Sequence, residues 1–166
     1  GAIVGQRAVM EAAHTMFISS TYWSDTIGLR AALTTLDEVE RRGVPAQLAE
    51  VGQRLVQSVL EIAGDIGIEM TAGGVEFHPH FAFQVDDPEL NGQLVTLFIQ
   101  EMAKRGCHMG MSFYLNASHG EAEIDQTLDA MRDTLSIVHE AMQSGTVEER
   151  LECKPMTDTF TRRLVT

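Results

Sequence analysis

Three small hydroxyl side chains, Ser19, Ser20 and Thr21, precede a long helical pattern in the stretch FISSTYWSDTIGLRAAL. The pattern starts after Asp25, a residue type that favours helix N-caps. A helix N-terminus presents unpaired N–H groups and a partial positive charge, so hydroxyl donors beside it suit a phosphate or a carboxylate. The same residues also describe a plain N-cap flanked by two packed aromatic side chains. The stretch therefore indicates either an anion site or a capping segment.

Two histidines, His78 and His80, form a second candidate for chemistry because they flank Pro79 and would project from the same face of a regular strand. With His108 or His119 nearby they could bind a metal ion. No acid or thiol stands at a spacing that is specific for zinc, and a polar outer face of a sheet explains the pair as well. We therefore predict no metal site.

The amines and thiols of the chain predict no catalytic residue within it. Lys104 ends a charged helix and Lys154 lies in an aperiodic tail, and neither setting would desolvate an amine and lower its pKa. Cys107 and Cys153 are far apart and share no CxxC spacing, which fits free thiols in a reducing cytoplasm.

The charge balance limits the classes of partner. The 166 residues include 24 acidic and 12 basic side chains, for a formal net charge of −12. Such a surface repels nucleic acid and anionic membranes, so we expect neither as a partner. No run of about 18 apolar residues predicts a membrane-spanning helix, and the first residues lack the basic leading region of a secretory signal. The expected location is cytoplasmic.

The first elements of the chain are predicted from short apolar patterns. The opening GAIVG indicates a buried strand, followed by a helix from about Gln6 to His14. A longer helix follows the Asp25 cap and ends near Arg42. Its predicted buried stripe comprises Ile27, Ala31, Ala32, Leu36 and Val39. Pro45 then begins a helix that ends at Gly64, with an inward face of Leu48, Val51, Leu55, Val59 and Ile62.

A period of two follows and predicts antiparallel strands. Val75, Phe77, Phe81, Phe83 and Val85 share one side, and Glu76, His78, His80, Ala82 and Gln84 share the other. Pro79 cannot donate to a strand ladder, which implies an edge position, a bulge or a split between two strands. Gly73 and Gly74 are typical of a turn.

Two further helices complete the pattern. One begins at Asp86–Pro88, runs to about Arg105, and turns Leu90, Leu94, Leu97, Phe98 and Met102 inward. The other runs from Glu121 to Gln143 and carries an apolar stripe at alternating spacings of four and three, namely Ile124, Leu128, Met131, Leu135, Val138 and Met142. Short extended pieces lie between them, and residues 144–166 show no strong period. The fold class is α/β or α+β.

Three segments resemble class III pyridoxal-phosphate-dependent aminotransferases. GAIVGQRAVME resembles the strand and helix that follow the Schiff-base lysine of that family, and SSTYWSDTIGLRAALTTLDEVE resembles its segment GTxxGNPLAxAAALAxLxxxE. Residues 81–135 resemble its small C-terminal domain, where ASHGEAEIDQTLDAMRDTL matches (S/A)xxHTxxDIdxxLxAxxxAL in both identity and spacing. The resemblance spans nearly all of residues 1–143 and is nearest to glutamate-1-semialdehyde aminomutase.

This resemblance implies an α/β fold, namely the C-terminal portion of a fold-type I transferase that depends on pyridoxal 5'-phosphate. Residues 1–44 would end the large cofactor-binding domain and include a linking helix, residues 45–143 would form the small α+β domain with a short antiparallel sheet, and residues 144–166 would be a tail. The catalytic lysine would lie outside this chain. The complete enzyme would transfer an amino group to or within a small amino or keto compound.

The resemblance also assigns the hydroxyls of the opening stretch. Thr21 matches the threonine that binds the cofactor phosphate of the opposite subunit, and Ser20 stands beside it. The expected partners are a second copy in a homodimer or the missing N-terminal portion. Trp23-Ser24-Asp25-Thr26 departs from the family's glycine-glycine-asparagine-proline run, and an acid near the phosphate is unfavourable unless it points away as a cap.

A second hypothesis is a protein without catalysis. In that case the chain is an α/β binding or dimerisation module, and it could bind a metal through His78 and His80. A lysine shortly upstream of Gly1 in the gene would favour the enzyme.

Overall fold

The described residues of the first part of the chain form two α-helices and a 3-10 helix, and none of them is buried. The structure, a computed structural model, describes residues 3–22 and 25–156, and it divides into two units at Arg42 and Gly43. In the first unit, helix α1 (Arg7–Met10) continues as a 3-10 helix over Glu11–Thr15, and helix α2 spans Thr26–Arg41. As predicted, Asp25 caps α2, where its Oδ1 accepts a hydrogen bond from the Ile27 N–H at 3.1 Å.

Two predictions for this unit are wrong. Ile3, Val4 and Gly5 are exposed and form no strand, while Gly1 and Ala2 lie outside the described residues. The apolar stripe of α2 is not buried either, and Ile27 is 79% exposed. A strand needs a neighbouring strand, and an amphipathic helix needs a covering surface. The apolar pattern in the sequence indicates that such a partner is needed, but it does not indicate which chain supplies the neighbouring strand or the covering surface.

Three long helices form the frame of the second unit. They are α3 (Val44–Ile66), α4 (Pro88–Lys104) and α5 (Glu121–Ser144). Asp87 caps α4 through its Oδ1, which accepts the Glu89 N–H at 2.9 Å. Helix α3 extends two residues beyond the predicted end at Gly64, and Gly67 caps it in the left-handed conformation (φ 91°). A short 3-10 helix, Glu148–Arg150, follows α5. No helix among the described residues is long and apolar enough to span a membrane.

The sheet between α3 and α4 consists of two antiparallel strands, β1 (Met70–Val75) and β2 (His78–Phe83), with Met70 opposite Phe83 and Val75 opposite His78. The predicted alternation is correct along β2, where Phe81 and Phe83 are buried. It is wrong across the turn at residues 76–77, because Val75 belongs to the other strand and is exposed.

Two glycines of β1 were predicted to form a turn, and the structure corrects this. Gly73 and Gly74 lie within β1, opposite His80 and Pro79. The imidazole of His80 lies directly against Gly73, where an added Cβ would stand 2.7 Å from its Nε2. The glycine provides room for a side chain of the neighbouring strand, which sequence spacing alone does not reveal.

The core of the second unit joins the three helices to the inner face of the sheet. The predicted stripe of α5 is confirmed, since four of its six residues are buried and Leu128 and Met142 are partly buried. The inward faces predicted for α3 and α4 also supply core residues. Buried members from these two helices are Leu55, Val59, Ile62, Leu94, Leu97, Phe98 and Met102.

The segment after α5 docks on α4, although its sequence has no strong period. The Glu152 N–H donates to Oε1 of Gln100 at 2.7 Å, and the Met156 N–H donates to Oγ1 of Thr96 at 2.7 Å. Backbone donors therefore fasten the segment, which explains why no side-chain pattern predicts it. Residues 157–166 lie outside the described part of the chain.

Candidate functional site

The hydroxyls singled out in the sequence lie in the connection between the 3-10 helix and α2. Ser20 and Thr21 are exposed, and the chain turns after them, where the Asp25 N–H donates to the carbonyl of Tyr22 at 3.1 Å. Within the described residues, neither hydroxyl makes a hydrogen bond. Both are therefore available to an oxyanion. Trp23 and Ser24, which depart from the family pattern, lie outside the described residues.

The charge closest in sequence to these hydroxyls is already engaged. The Asp25 carboxylate accepts the Ile27 N–H and so occupies the N-terminus of α2 itself. A side chain held in this way satisfies one of the unpaired N–H groups of the helix, and its negative charge interacts favourably with the partial positive charge of the helix N-terminus. The exposed hydroxyls of Ser20 and Thr21 are further hydrogen-bond donors in this connection, and a hydroxyl is a donor type that can bind a phosphate.

Neither lysine has the surroundings of a nucleophile. Lys104 Nζ lies 2.8 Å from Glu101 Oε1 and 2.6 Å from Glu152 Oε1. These hydrogen bonds to Glu101 and Glu152 raise the pKa of the Lys104 ammonium, which keeps it protonated at neutral pH. Lys154 is exposed. That this chain holds no catalytic lysine stays a prediction.

Glu101 is the centre of that ion-pair group. Burial acts to raise the pKa of its carboxyl, but hydrogen bonds from Lys104, Gln100 and Arg105 outweigh it and lower the pKa to about 2. Arg105 contributes an ion pair at 2.9 Å. A carboxylate held ionised by two cations is a structural anchor for the end of α4 and is poorly suited to proton transfer near neutral pH.

His78 replaces a backbone donor that Pro79 lacks. The segment after residue 110 runs along β2, with the Phe81 N–H donating to the Met111 carbonyl at 2.8 Å and the Phe113 N–H donating to the Pro79 carbonyl at 2.9 Å. The reciprocal bond to the Phe113 carbonyl would need an N–H at position 79. His78 Nδ1 supplies it at 2.7 Å, and because a carbonyl only accepts, Nδ1 carries the proton.

This hydrogen bond gives a structural role to His78, the first of the two histidines that were considered as metal ligands. The His78 ring also stacks on Tyr114, with 4.1 Å between ring centroids, while the His80 ring lies on Gly73. Among the described residues, no three histidine, cysteine or acidic side chains are grouped closely enough to hold a metal ion. The geometry assigns His78 to fixing the segment from Met111 to Leu115, which the sequence analysis missed.

Replacing His78 with phenylalanine should therefore lower the free energy of unfolding by about 1–2 kcal/mol. Phenylalanine keeps a ring against Tyr114 but leaves the Phe113 carbonyl without a donor. Urea denaturation measures the loss. The control is Pro79→Ala, which restores a backbone N–H opposite that carbonyl. In the Pro79→Ala background the same histidine substitution should cost about 1 kcal/mol less. Equal costs in both backgrounds would refute the donor role.

A cavity of about 760 Å³ lies between the segment that follows α4 and the first turns of α5. Its wall includes residues 106–110 and 112–116, together with His119 and Thr127. The segment that His78 holds forms part of that wall. The sequence analysis did not identify this cavity, because its members belong to a stretch without regular period.

Relatives of known activity match most of the chain. No family model matches. A 3-aminobutyryl-CoA aminotransferase of Cloacimonas acidaminovorans (strain Evry) is 24% identical over 140 residues, which are 82% of this chain and 34% of the relative. A 2'-deamino-2'-hydroxyneamine transaminase of Streptomyces kanamyceticus is 33% identical over 136 residues, 80% of this chain and 34% of the relative. A glutamate-1-semialdehyde 2,1-aminomutase of Desulfitobacterium hafniense (strain DSM 10664 / DCB-2) is 28% identical over 148 residues, 79% of this chain and 34% of the relative.

Solved structures agree on the fold. The PLP internal aldimine form of the FumI protein of Sphingopyxis sp. MTA144 superposes with a TM-score of 0.74 at 22% identity, over 85% of this chain and 34% of that one. An omega-transaminase from Sphaerobacter thermophilus superposes with a TM-score of 0.64 at 19% identity, over 74% of this chain and 30% of that one. The chain corresponds to a part of a class III pyridoxal-phosphate-dependent aminotransferase. The resemblance drawn from the sequence motifs is thereby confirmed. This aminotransferase portion spans about a third of the length of the relatives that it matches.

Proposed function

We propose that the complete protein is a pyridoxal-phosphate-dependent aminotransferase or aminomutase that moves an amino group to or within a small amino or keto compound. The observation that carries this proposal is the match of about four-fifths of the chain to two aminotransferases and an aminomutase. When bound, pyridoxal phosphate supplies an electron sink for the carbon that bears the amino group. The residues of this chain would help to bind and position the cofactor, and the catalytic lysine would lie elsewhere in the complete protein.

The proposed division of labour follows the two units. Residues 1–44 end the large cofactor-binding domain and include the linking helix, residues 45–143 form the small domain, and residues 144–166 are its tail. The break between Arg42 and Gly43 supports this division, as does the separate core of the second unit. Both cysteines are free, which supports a cytoplasmic location for the complete protein.

The first unit is proposed to be an interface. Among the described residues from Ile3 to Leu36, many large apolar side chains are exposed, and Phe17 is 95% exposed. Exposed apolar patches of this extent mark surfaces that another protein surface covers. The partners that fit are the rest of the complete protein and a second copy in a homodimer. Members of the patch are Ile3, Val4, Val9, Met16, Phe17, Ile18, Tyr22, Ile27, Leu29, Leu33 and Leu36.

Within that interface, Thr21 is proposed to donate its hydroxyl to the cofactor phosphate held by the opposite subunit, with Ser20 beside it. Three observations support this role. The hydroxyls are exposed and available, Asp25 is engaged as a cap, and Thr21 matches the threonine of the family's loop. A phosphate is a dianion, so a hydrogen bond to it is charge-assisted and stronger than a neutral one.

The substitution Thr21→Val in the complete protein should weaken cofactor binding roughly ten- to hundredfold, because it keeps the shape and removes the donor, at a cost of about 1.5–3 kcal/mol. The matched control Thr21→Ser keeps the hydroxyl and should largely retain affinity. Equilibrium dialysis of pyridoxal phosphate against the complete protein gives both dissociation constants. Wild-type affinity in Thr21→Val would leave the loop as a capping and packing feature only.

A further inference from the structure

The outer edge of β1 carries hydrogen-bonding groups that no described residue satisfies. Residues 77, 79 and 81 of the hairpin direct their backbone groups to the segment after residue 110. The alternation of an antiparallel ladder then pairs Thr71 with Ala82 across the hairpin. Met70 and Ala72 are left with their N–H and C=O groups on the opposite side, where the structure describes no neighbouring strand.

This edge has none of the features that protect exposed strands. The six residues of β1, MTAGGV, include no charged side chain and no proline, in a chain of net charge −12. Natural proteins commonly guard a free edge with a lysine, a proline or a bulge, because an open edge is a template for another strand. An edge without these guards is therefore open to pairing with another strand.

A groove beside β1 offers space for the side chains of such a strand. It measures about 290 Å³ and lies between α3 and residues 72–76. From α3 it receives Gly52, Gln53, Val56 and Gln57, which carry no charge, and Glu76 at the hairpin turn is the one acidic residue of its lining. An extended segment with small side chains and no acidic residue opposite Glu76 fits this chemistry.

Helix α3 already packs on the hairpin next to this edge. Gly52 lies so close to it that an added Cβ would stand 1.8 Å from the Glu76 carbonyl oxygen. An occupant that continues the ladder is therefore a single strand, which adds about 4.8 Å to the width of the sheet.

We propose that the outer edge of β1 is a strand-docking site for an extended segment with small side chains from the part of the complete protein outside these 166 residues. The relatives leave ample chain for it, since the chain covers about a third of their length. The inference rests on the proposed function only for the existence of that further chain. The docked segment would extend the sheet by main-chain hydrogen bonds to Met70 and Ala72.

Amide hydrogen exchange tests this directly. In the complete protein the Ala72 amide should exchange about a hundredfold more slowly than in the 166-residue chain, because docking gives it an acceptor. The Thr71 amide, which pairs within the hairpin, should be protected in both. Equally fast exchange of Ala72 in both proteins would overturn the proposal. So would protection of Ala72 in the 166-residue chain that grows with its concentration, because that result identifies a second copy.

A pair of proline substitutions separates the edge from the ladder. Ala72→Pro removes only an outward N–H and should abolish the protection of the Met70 amide in the complete protein, while the isolated chain stays folded. Thr71→Pro breaks the hairpin, so it should disrupt both the Met70 protection in the complete protein and the folding of the isolated chain. Undiminished Met70 protection in Ala72→Pro would contradict the proposal.

A complete protein that binds pyridoxal phosphate on a lysine but exchanges Ala72 quickly would refute the docking site and leave the function standing. The reverse result would refute only the function.

Discussion

Replacing Gly52 with alanine should lower the free energy of unfolding by about 3 kcal/mol or more. The added Cβ would stand 1.8 Å from the carbonyl oxygen of Glu76, which is far too close for two non-bonded atoms. The obstacle is backbone at the turn of the hairpin, so no side chain can rotate away. Either α3 or the hairpin must shift, and both belong to the core of the second unit.

The same helix contains its own control. Gly64 lies within α3 and has no atom within 4 Å of where a Cβ would stand. Gly64→Ala should therefore stabilise the protein by about 0.5–1 kcal/mol, because alanine is the better helix former. Urea denaturation of both variants gives the comparison. Similar stabilities for the two variants would mean that α3 does not approach the hairpin as described.

Leu135→Ala should be the second large effect, at about 2–5 kcal/mol. Leu135 is fully buried at the centre of α5, so alanine removes buried methyl groups and leaves a cavity between packed helices. Calorimetry or denaturant titration measures the loss. The choice of Leu135 comes from the apolar stripe read in the sequence, and its complete burial comes from the structure.

Leu128 provides the matched comparison on the same stripe. It is only partly buried, so Leu128→Ala should cost clearly less than Leu135→Ala. A loss below about 0.5 kcal/mol for Leu135→Ala would show that this face of α5 is exposed and that the core is wrongly assigned.

Elements that carry their own signals were predictable from the sequence. The cap at Asp87, the proline in the first turn of α3 and the stripe of α5 gave helices with nearly correct bounds. These features act over a few residues, so one segment contains all the information. The apolar positions of α2 gave a correct helix and a wrong burial, because burial depends on a surface that α2 does not itself contain.

Contacts between distant segments were not predictable. Nothing in the residues around Gly52 indicates that a turn 24 residues later will rest on it. Pro79 signalled an interrupted ladder, but the replacement of its missing donor by His78 depends on the position of Phe113. The role proposed for Thr21 rests on the resemblance to a family, since three consecutive hydroxyls alone also describe a helix cap.

Borohydride trapping with mass mapping is the measurement that tests the central claim most directly. Treating the complete protein with pyridoxal phosphate and borohydride should fix one pyridoxyl group per subunit on a lysine outside these 166 residues. The 166-residue chain treated alike should gain no stoichiometric adduct, because Lys104 is held protonated by Glu101 and Glu152 and Lys154 is solvated. A single stoichiometric adduct on Lys104, or no adduct anywhere in the complete protein, would contradict the account.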